Sequence, residues 1–299
     1  MGDKPEVDIR LKGVYGRRVR KVELLTSWGR LLLVGGSRAG EGTVVLLPQL
    51  RLALDAGRPS RALVPMEHVV ISHGHTDHLS ALPFWASQRQ LQNLPAARLY
   101  APAEIASELS QLLALVASLE RGKLFAVELV PVREGDEVAL RKDMVLRFFR
   151  TSHWVPTLGT LLVWKKKQLK PSFLGLPSEE LATLRQKGIE VEETIPVPLL
   201  AYLADTGPEV LGSVGVLTQV EVLVVECSFL SPRDVERARR FGHMHLADLQ
   251  AFIATTKNRY LVLTHLSRRH RLGPGSKKIR QTLQRPDGPQ ILLLNVEWT

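Results

Sequence analysis

Ile71-Ser72-His73-Gly74-His75-Thr76-Asp77-His78 is the stretch on which the reading of this chain turns. It follows the apolar run Val69-Val70-Ile71, which reads as a buried strand, so the polar cluster sits where that strand ends. Imidazoles and a carboxylate this closely spaced make poor turn and poor core material. They are good ligands, because neutral imidazole and carboxylate are the donors that borderline divalent ions such as zinc prefer. In an extended or looping backbone His73 and His75 would face one ion, and Asp77 and His78 another. The competing reading is a solvated His-rich loop, and the residues further along the chain weigh against it.

Residues 22–54 read as short strands, Val22–Leu25, Leu31–Val34, Thr43–Leu47 and Leu50–Leu54, joined by glycine-rich turns and ending at Asp55. Beyond His78 a helical period runs from Leu79 to Leu94. Arg98–Ala101 reads as a strand, and Pro102 opens a helix to about Leu119, capped by Arg121-Gly122. Strands are expected at Leu124–Val130, Val145–Arg150 and Leu158–Trp164, the second leading to His153. A basic segment follows (Lys165, Lys166, Lys167, Lys170), then a proline-bearing stretch with a short polar helix at Ser178–Lys187. Residues 165–198 are the candidate for an inserted, projecting arm in a single domain spanning 1–299. The remainder alternates strands at Leu199–Leu203, Val222–Val225, Tyr260–Leu263 and Ile291–Val296 with helices at Pro232–Arg240 and Leu246–Lys257 and a basic helix after His265. Strand-helix alternation in both halves predicts an α/β fold with two sheets sandwiched between helices.

Strand ends thus carry Asp55, the His73 to His78 run, His153, Asp205 and His265, and sites in layered α/β folds collect where strand ends open into loops. His73, His75 and His153 would hold one ion, and Asp77, His78 and His265 the other. Asp205 would bridge them, bringing the ions to roughly 3.5–4 Å apart and making hydroxide available near neutral pH.

Composition narrows the setting. The chain has 299 residues, 44% apolar, enough for a sizeable core. Residues 1–20 are charged and lack the apolar centre of a signal peptide, and no run is long enough to cross a bilayer. The single cysteine, Cys227, excludes an internal disulfide framework and a Cys-based zinc site, so a reducing, cytoplasmic location is expected. A net charge of +10 suits a polyanionic partner, nucleic acid first.

The His73-Gly74-His75-Thr76-Asp77-His78 run resembles the H-x-H-x-D-H signature of the metallo-β-lactamase superfamily, and His153, Asp205 and His265 follow in that superfamily's order. Ala204-Asp205-Thr206, Glu226 with Phe229, and His265-Leu266-Ser267-Arg268-Arg269 narrow the resemblance to ribonuclease Z, closest to its short plant-like forms. The match covers most of residues 30–270. It implies an αββα metallo-β-lactamase fold and two zinc ions per chain, with manganese or iron as alternatives. It also implies endonucleolytic removal of 3′ trailers from precursor tRNA, and a homodimer in which one subunit's arm serves the other's site.

It further implies a histidine that protonates the leaving oxygen in concert with Glu226. The spacing to His265 fits His243, with His245 as a supporting or capping residue. Asp77 would aid the attacking water, and Arg269 would hold the scissile phosphate. The sequence departs from the family in three places. The interval between His153 and Asp205 carries Lys165, Lys166, Lys167 and Lys170 instead of a glycine-proline knob, Val225 replaces a histidine common before the glutamate, and His270 stands where an aromatic is usual.

Among single residues, Asp55 reads either as support for a ligand loop or as a structural turn, His68 as structural, and Cys227 as a small buried residue. The four arm lysines read either as a solvated face or as phosphate contacts. Trp85 and Trp154 read as walls of the site. Two other functions stay open: hydrolysis of a small ester, thioester, lactone or cyclic phosphodiester, and an RNA-binding scaffold with a lapsed metal site.

Overall fold

The structure, a computed structural model, describes residues 11–12, 18–120 and 122–297. The first eight strands, β1 (Leu11–Lys12), β2 (Arg18–Thr26), β3 (Gly29–Arg38), β4 (Gly42–Leu47), β5 (Leu52–Leu54), β6 (His68–Val70), β7 (Ala97–Pro102) and β8 (Val127–Val132), form one sheet in sequence order. Pairing is antiparallel up to β5 and parallel from there on. The second sheet runs in reverse sequence order from β15 (Gln290–Leu293) through β14 (Tyr260–Thr264), β13 (Val222–Glu226), β12 (Glu192–Tyr202), β11 (Leu158–Leu169) and β10 (Met144–Arg150) to β9 (Glu137–Arg141). Its β12–β15 half is parallel.

Side chains alternate between the two faces of a strand, and strands covered on both faces read as continuous apolar runs. Val222 and Val224 of β13 therefore join Leu52, Leu54 and Val70 in the core between the sheets, while Leu223 and Val225 point outward. That outer face is covered by α7 (Leu246–Phe252) and α8 (Leu272–Leu283) through Leu249, Phe252, Ile279 and Leu283. The outer face of the first sheet is covered by α2 (Leu82–Leu91) and α3 (Ala106–Leu119) through Leu82, Trp85, Leu109 and Leu113. The layers are helix, sheet, sheet, helix. Each fully buried leucine stabilises this arrangement by roughly 1.5–3 kcal/mol.

Several expected boundaries move. The His73–His78 stretch is not wholly looped: Asp77 and His78 lie on a one-turn helix, α1 (Thr76–Leu79), and α2 starts anew at Leu82. Gly57 lets this turn close in, because a Cβ there would lie 1.8 Å from the Asp77 carbonyl oxygen. The helix after His245 stops at Phe252 rather than Lys257, where the Thr255 hydroxyl donates to the Phe252 carbonyl and Thr256 bonds elsewhere. Strand β9 was not expected from the sequence. Gly122 donates to Ala117 O at 3.1 Å at the end of α3, while Arg121 and residues 1–10 and 13–17 lie outside the described residues.

The expected arm is a two-stranded ribbon. Strand β11 continues through Leu169 and β12 begins at Glu192, so Lys165 to Leu169 pair with Pro196 to Glu192 beyond the end of β10. A short helix, α4 (Ser178–Gln186), lies between the two strands. The remaining short helices are α5 (Glu209–Ser213) and α6 (Val235–Arg240).

Candidate metal centre

A left-handed residue lies just past the end of each of β5, β12 and β14: Asp55, Ala204 and His265 have φ of 60°, 54° and 58°. Side chains rarely take this conformation, and such strain persists only where the surroundings hold it. Here the Asp55 amide donates to Val70 O at 2.8 Å, and the His265 amide to the Ser37 hydroxyl at 2.8 Å. The sharp turns aim Asp205 and His265 into the space faced by His73 to His78.

The nitrogens meet there. His73 Nε2 lies 3.0 Å from His75 Nδ1, which lies 3.4 Å from His153 Nε2. On the other side His78 Nε2 lies 3.3 Å from His265 Nε2, itself 3.4 Å from Asp77 Oδ2. Asp205 stands between, with Oδ2 3.8 Å from His73 and 3.4 Å from His265, and Oδ1 3.4 Å from His78. All seven expected ligands fall into two adjoining groups, His73, His75, His153 and Asp205, and Asp77, His78 and His265.

The outer nitrogens of His73, His78, His153 and His265 are occupied, and this fixes which nitrogen points inward. His73 Nδ1 bonds Ser72 Oγ at 2.9 Å, and the Ser72 hydroxyl donates to Asp55. His78 Nδ1 donates to Asp55 Oδ2 at 2.7 Å, and His153 Nδ1 to the Gly242 carbonyl at 3.0 Å. His265 Nδ1 meets Ser228 Oγ at 3.0 Å. Asp55, fully buried, also accepts from Tyr202 OH and the Ser72 amide. It therefore braces two histidines at once.

These residues suit divalent cations. Asp205 Oδ1 is buried without a hydrogen bond, which costs free energy unless something positive meets it. Burial lowers the pKa of His73, His75 and His153, which favours the neutral imidazole a metal ion requires. Burial opposes charge on His78, but the Asp205 and Asp55 carboxylates overcome it and raise that pKa, so the spot draws positive charge.

Beside the cluster, Glu226 is fully buried. Its Oε1 accepts from the Thr206 amide and from His243 Nδ1, both at 2.8 Å, and its Oε2 from the Ser228 hydroxyl. Burial disfavours the His243 cation, yet Glu226 outweighs it and pushes the pKa up to about 9. His245 faces away: its Nδ1 accepts from the Ala247 amide and its Nε2 donates to Ser231 O, capping α7.

The profile of the Beta-lactamase superfamily domain matches residues 39–266. Among curated proteins, tRNase Z TRZ1 of Arabidopsis thaliana is 30% identical over 79% of this chain and 85% of its own length. The chloroplastic tRNase Z TRZ2 of the same plant is 30% identical over 79% and 67%.

This chain belongs to the ribonuclease Z family of the β-lactamase superfamily.

Nuclear ribonuclease Z of Triticum aestivum is 33% identical over 54% of this chain and 91% of its own. Two solved structures share the metallo-β-lactamase fold. Human tRNase Z, short form, aligns with a TM-score of 0.55 and 18% identity over 86% of this chain and 93% of that one. The protein YhfI of Bacillus subtilis aligns with 0.57 and 14% over 88% and 95%. Among the described residues no helix is long and apolar enough to cross a membrane.

Other expected residues of this ribonuclease Z family member lie elsewhere. Trp85 is no wall of the site: it is fully buried under the first sheet and donates to Met66 O. Trp154 does stand at the rim, stacked on Phe241. Arg269 is exposed on the turn after His265. Lys165, Lys166, Lys167 and Lys170 are carried away from the cluster by β11, and at about 3.3 Å per residue Lys167 lies roughly 30 Å beyond Leu158. Three have local partners: Lys165 with Glu137, Lys166 over Trp164, and Lys170 with Glu190. Cys227 is buried, its thiol pKa pushed up by burial, and His68 packs on Tyr100. Ser72, Tyr202 and Ser228 escaped the sequence reading. The only signal for the two serines was adjacency, before His73 and two residues after Glu226.

Proposed function

We propose that this protein is a dinuclear zinc phosphodiesterase that removes 3′ trailers from precursor tRNA endonucleolytically, leaving a 3′-hydroxyl. The observation that carries the reading is the 2.8 Å contact of His243 with Glu226 at the edge of the ligand cluster. A departing sugar oxygen is a poor leaving group and needs a proton donor, and a partly buried, carboxylate-bound imidazolium is one. The names of the plant relatives agree with this substrate.

His73, His75 and His153 would hold one ion and Asp77, His78 and His265 the other, with Asp205 between them. The nitrogen-rich donor set favours zinc, and manganese or iron accept the same donors. When bound, the ions supply positive charge for the phosphate oxygens and acidify water.

The chain's own residues do the rest. Asp77 is held by the Gly40 amide at 2.7 Å. Burial opposes its ionisation, and the bond from His265 overcomes this, keeping the carboxylate charged to orient the attacking water. With Nδ1 committed to Glu226, His243 gives its Nε2 proton to the 3′-oxygen, and the trailer leaves with a 5′-phosphate. Arg269 holds the scissile phosphate from the turn after His265.

The ribbon of residues 165–198 is the substrate arm. Its distance from the cluster on its own chain supports service to a second subunit. Exposed Leu115 and Leu119, one turn apart on α3, support a homodimer, with exposed Leu91 and Leu124 beside them. Those neighbours are tied to α3 by the Ser87–Glu120 bond and to each other's segments by Gln90–Lys123. The free cysteine supports a reducing, cytoplasmic location.

Turnover of a 3′-extended precursor tRNA set beside a small chromogenic phosphodiester tests the substrate. Trailer removal is the expected result. Hydrolysis of the small ester alone would move the substrate to small molecules.

A further inference from the structure

Trp154 directly follows His153 yet is 62% exposed, the most exposed aromatic among the large exposed hydrophobic residues. Its ring stacks on Phe241 with centroids 5.4 Å apart and planes at 11°. The guanidiniums of Arg237 and Arg240 lie 5.4 and 5.7 Å from the Phe241 ring centroid. Both arginines are exposed, whereas Arg239 of the same helix is committed to Asp248.

This platform is fastened to the centre from both sides. The Gly242 carbonyl, next to Phe241, accepts from His153 Nδ1, and the His153 and His243 rings stand 5.2 Å apart. Gly242 has φ of 61°, and a Cβ on it would lie 3.1 Å from Trp154 Cδ1 and 3.2 Å from His153 Nδ1. Phe241 covers one face of the indole and leaves the other open. Single-stranded RNA has unstacked bases that settle on such faces, and Arg at the rim meets the phosphates between them.

We propose that the open face of Trp154 stacks a nucleobase next to the scissile phosphate, with Arg237 and Arg240 against the adjoining phosphates. The proposal rests on the endonuclease reading above and adds a substrate contact that its metal ligands and proton donor do not supply.

The test uses the metal-loaded protein and three versions of one precursor tRNA: intact, and abasic at either nucleotide flanking the scissile bond. Stacking one base on an aromatic face corresponds to roughly ten- to a hundredfold in affinity. Trp154→Ala should lose that factor in kcat/KM on the intact precursor, mainly through KM, while Trp154→Phe keeps most of it. One abasic precursor should cost the wild type a similar factor and cost Trp154→Ala nothing further. Trp154→Leu preserves an apolar contact with Phe241 without a ring and should behave as the alanine variant does.

Unchanged kcat/KM in both ringless variants overturns the proposal. So does an equal loss on intact and abasic precursors, which would make Trp154 a prop for His153 and Gly242. A wild type that leaves every precursor intact overturns the endonuclease reading and this proposal with it.

Discussion

His243 Nδ1 and Glu226 Oε1 lie 2.8 Å apart at the edge of a cluster in which burial lowers the pKa of His73, His75 and His153. One carboxylate separates the imidazole that carries a proton from those that offer lone pairs. Glu226 also accepts from Ser228, whose hydroxyl meets His265 Nδ1, so the proposed proton donor and a proposed metal ligand are positioned through one buried network.

The pH profile should report this pair. With its pKa near 9, His243 stays protonated through neutrality, and kcat/KM should fall as pH rises through about 9. Because the folded pKa is raised, the pair's contribution to stability is full below about 6.5, the unperturbed histidine value, and is lost as pH rises through about 9. Glu226→Gln removes the charge that raises the pKa and should move the falling limb toward 6.5. An unmoved limb would assign that limb to another group.

Asp55 braces His73, through Ser72, and His78 directly. Asp55→Asn loses charge in both contacts, and partners behind metal ligands typically matter by about 10–100-fold in affinity or activity. Metal analysis after dialysis should find near two ions per chain in the wild type and clearly fewer in the variant. Full retention with full activity would reduce Asp55 to a turn residue.

Replacing Lys165, Lys166, Lys167 and Lys170 by Gln should weaken tRNA binding and flatten its salt dependence by up to roughly one slope unit for each phosphate no longer engaged. Hydrolysis of a small phosphodiester should not change, because the ribbon is remote from the cluster of its own chain. Equal salt slopes for variant and wild type would leave these lysines a solvated face.

Leu119→Glu places a charge in the exposed leucine patch on α3 and should shift sedimentation from dimer to monomer, with tRNA cleavage reduced more than hydrolysis of a small ester. A wild type that sediments as a monomer at micromolar concentration contradicts the dimer.

The candidate ligands, which the fold brings together, were legible because their chemistry and their place at strand ends both appear in the sequence. His73 to His78 follow an apolar run, and Asp205 and His265 follow two more. Ser72, Tyr202 and Ser228 were not, since a hydroxyl takes its role only from what the fold brings within 3 Å. Trp85 and Trp154 looked alike in sequence. A fully covered helix face decides one and an open loop the other. Lys165 to Leu169 hid a strand because a two-stranded ribbon with neither face fully buried shows no apolar alternation. The helix after His245 was overdrawn because its apolar period runs past Phe252, where threonine hydroxyls bond carbonyls and end it.

The most direct measurement incubates a precursor tRNA carrying a 3′ trailer with zinc-loaded wild type and with His243→Ala, mapping products and their end groups at single-nucleotide resolution. The wild type should cut just after the discriminator base, leaving a 3′-hydroxyl on the tRNA and a 5′-phosphate on the trailer. Removing a positioned general acid should slow the variant by about 10²–10⁴-fold with its metal retained. An intact precursor with wild type, or a variant that cuts at the wild-type rate, would contradict the account.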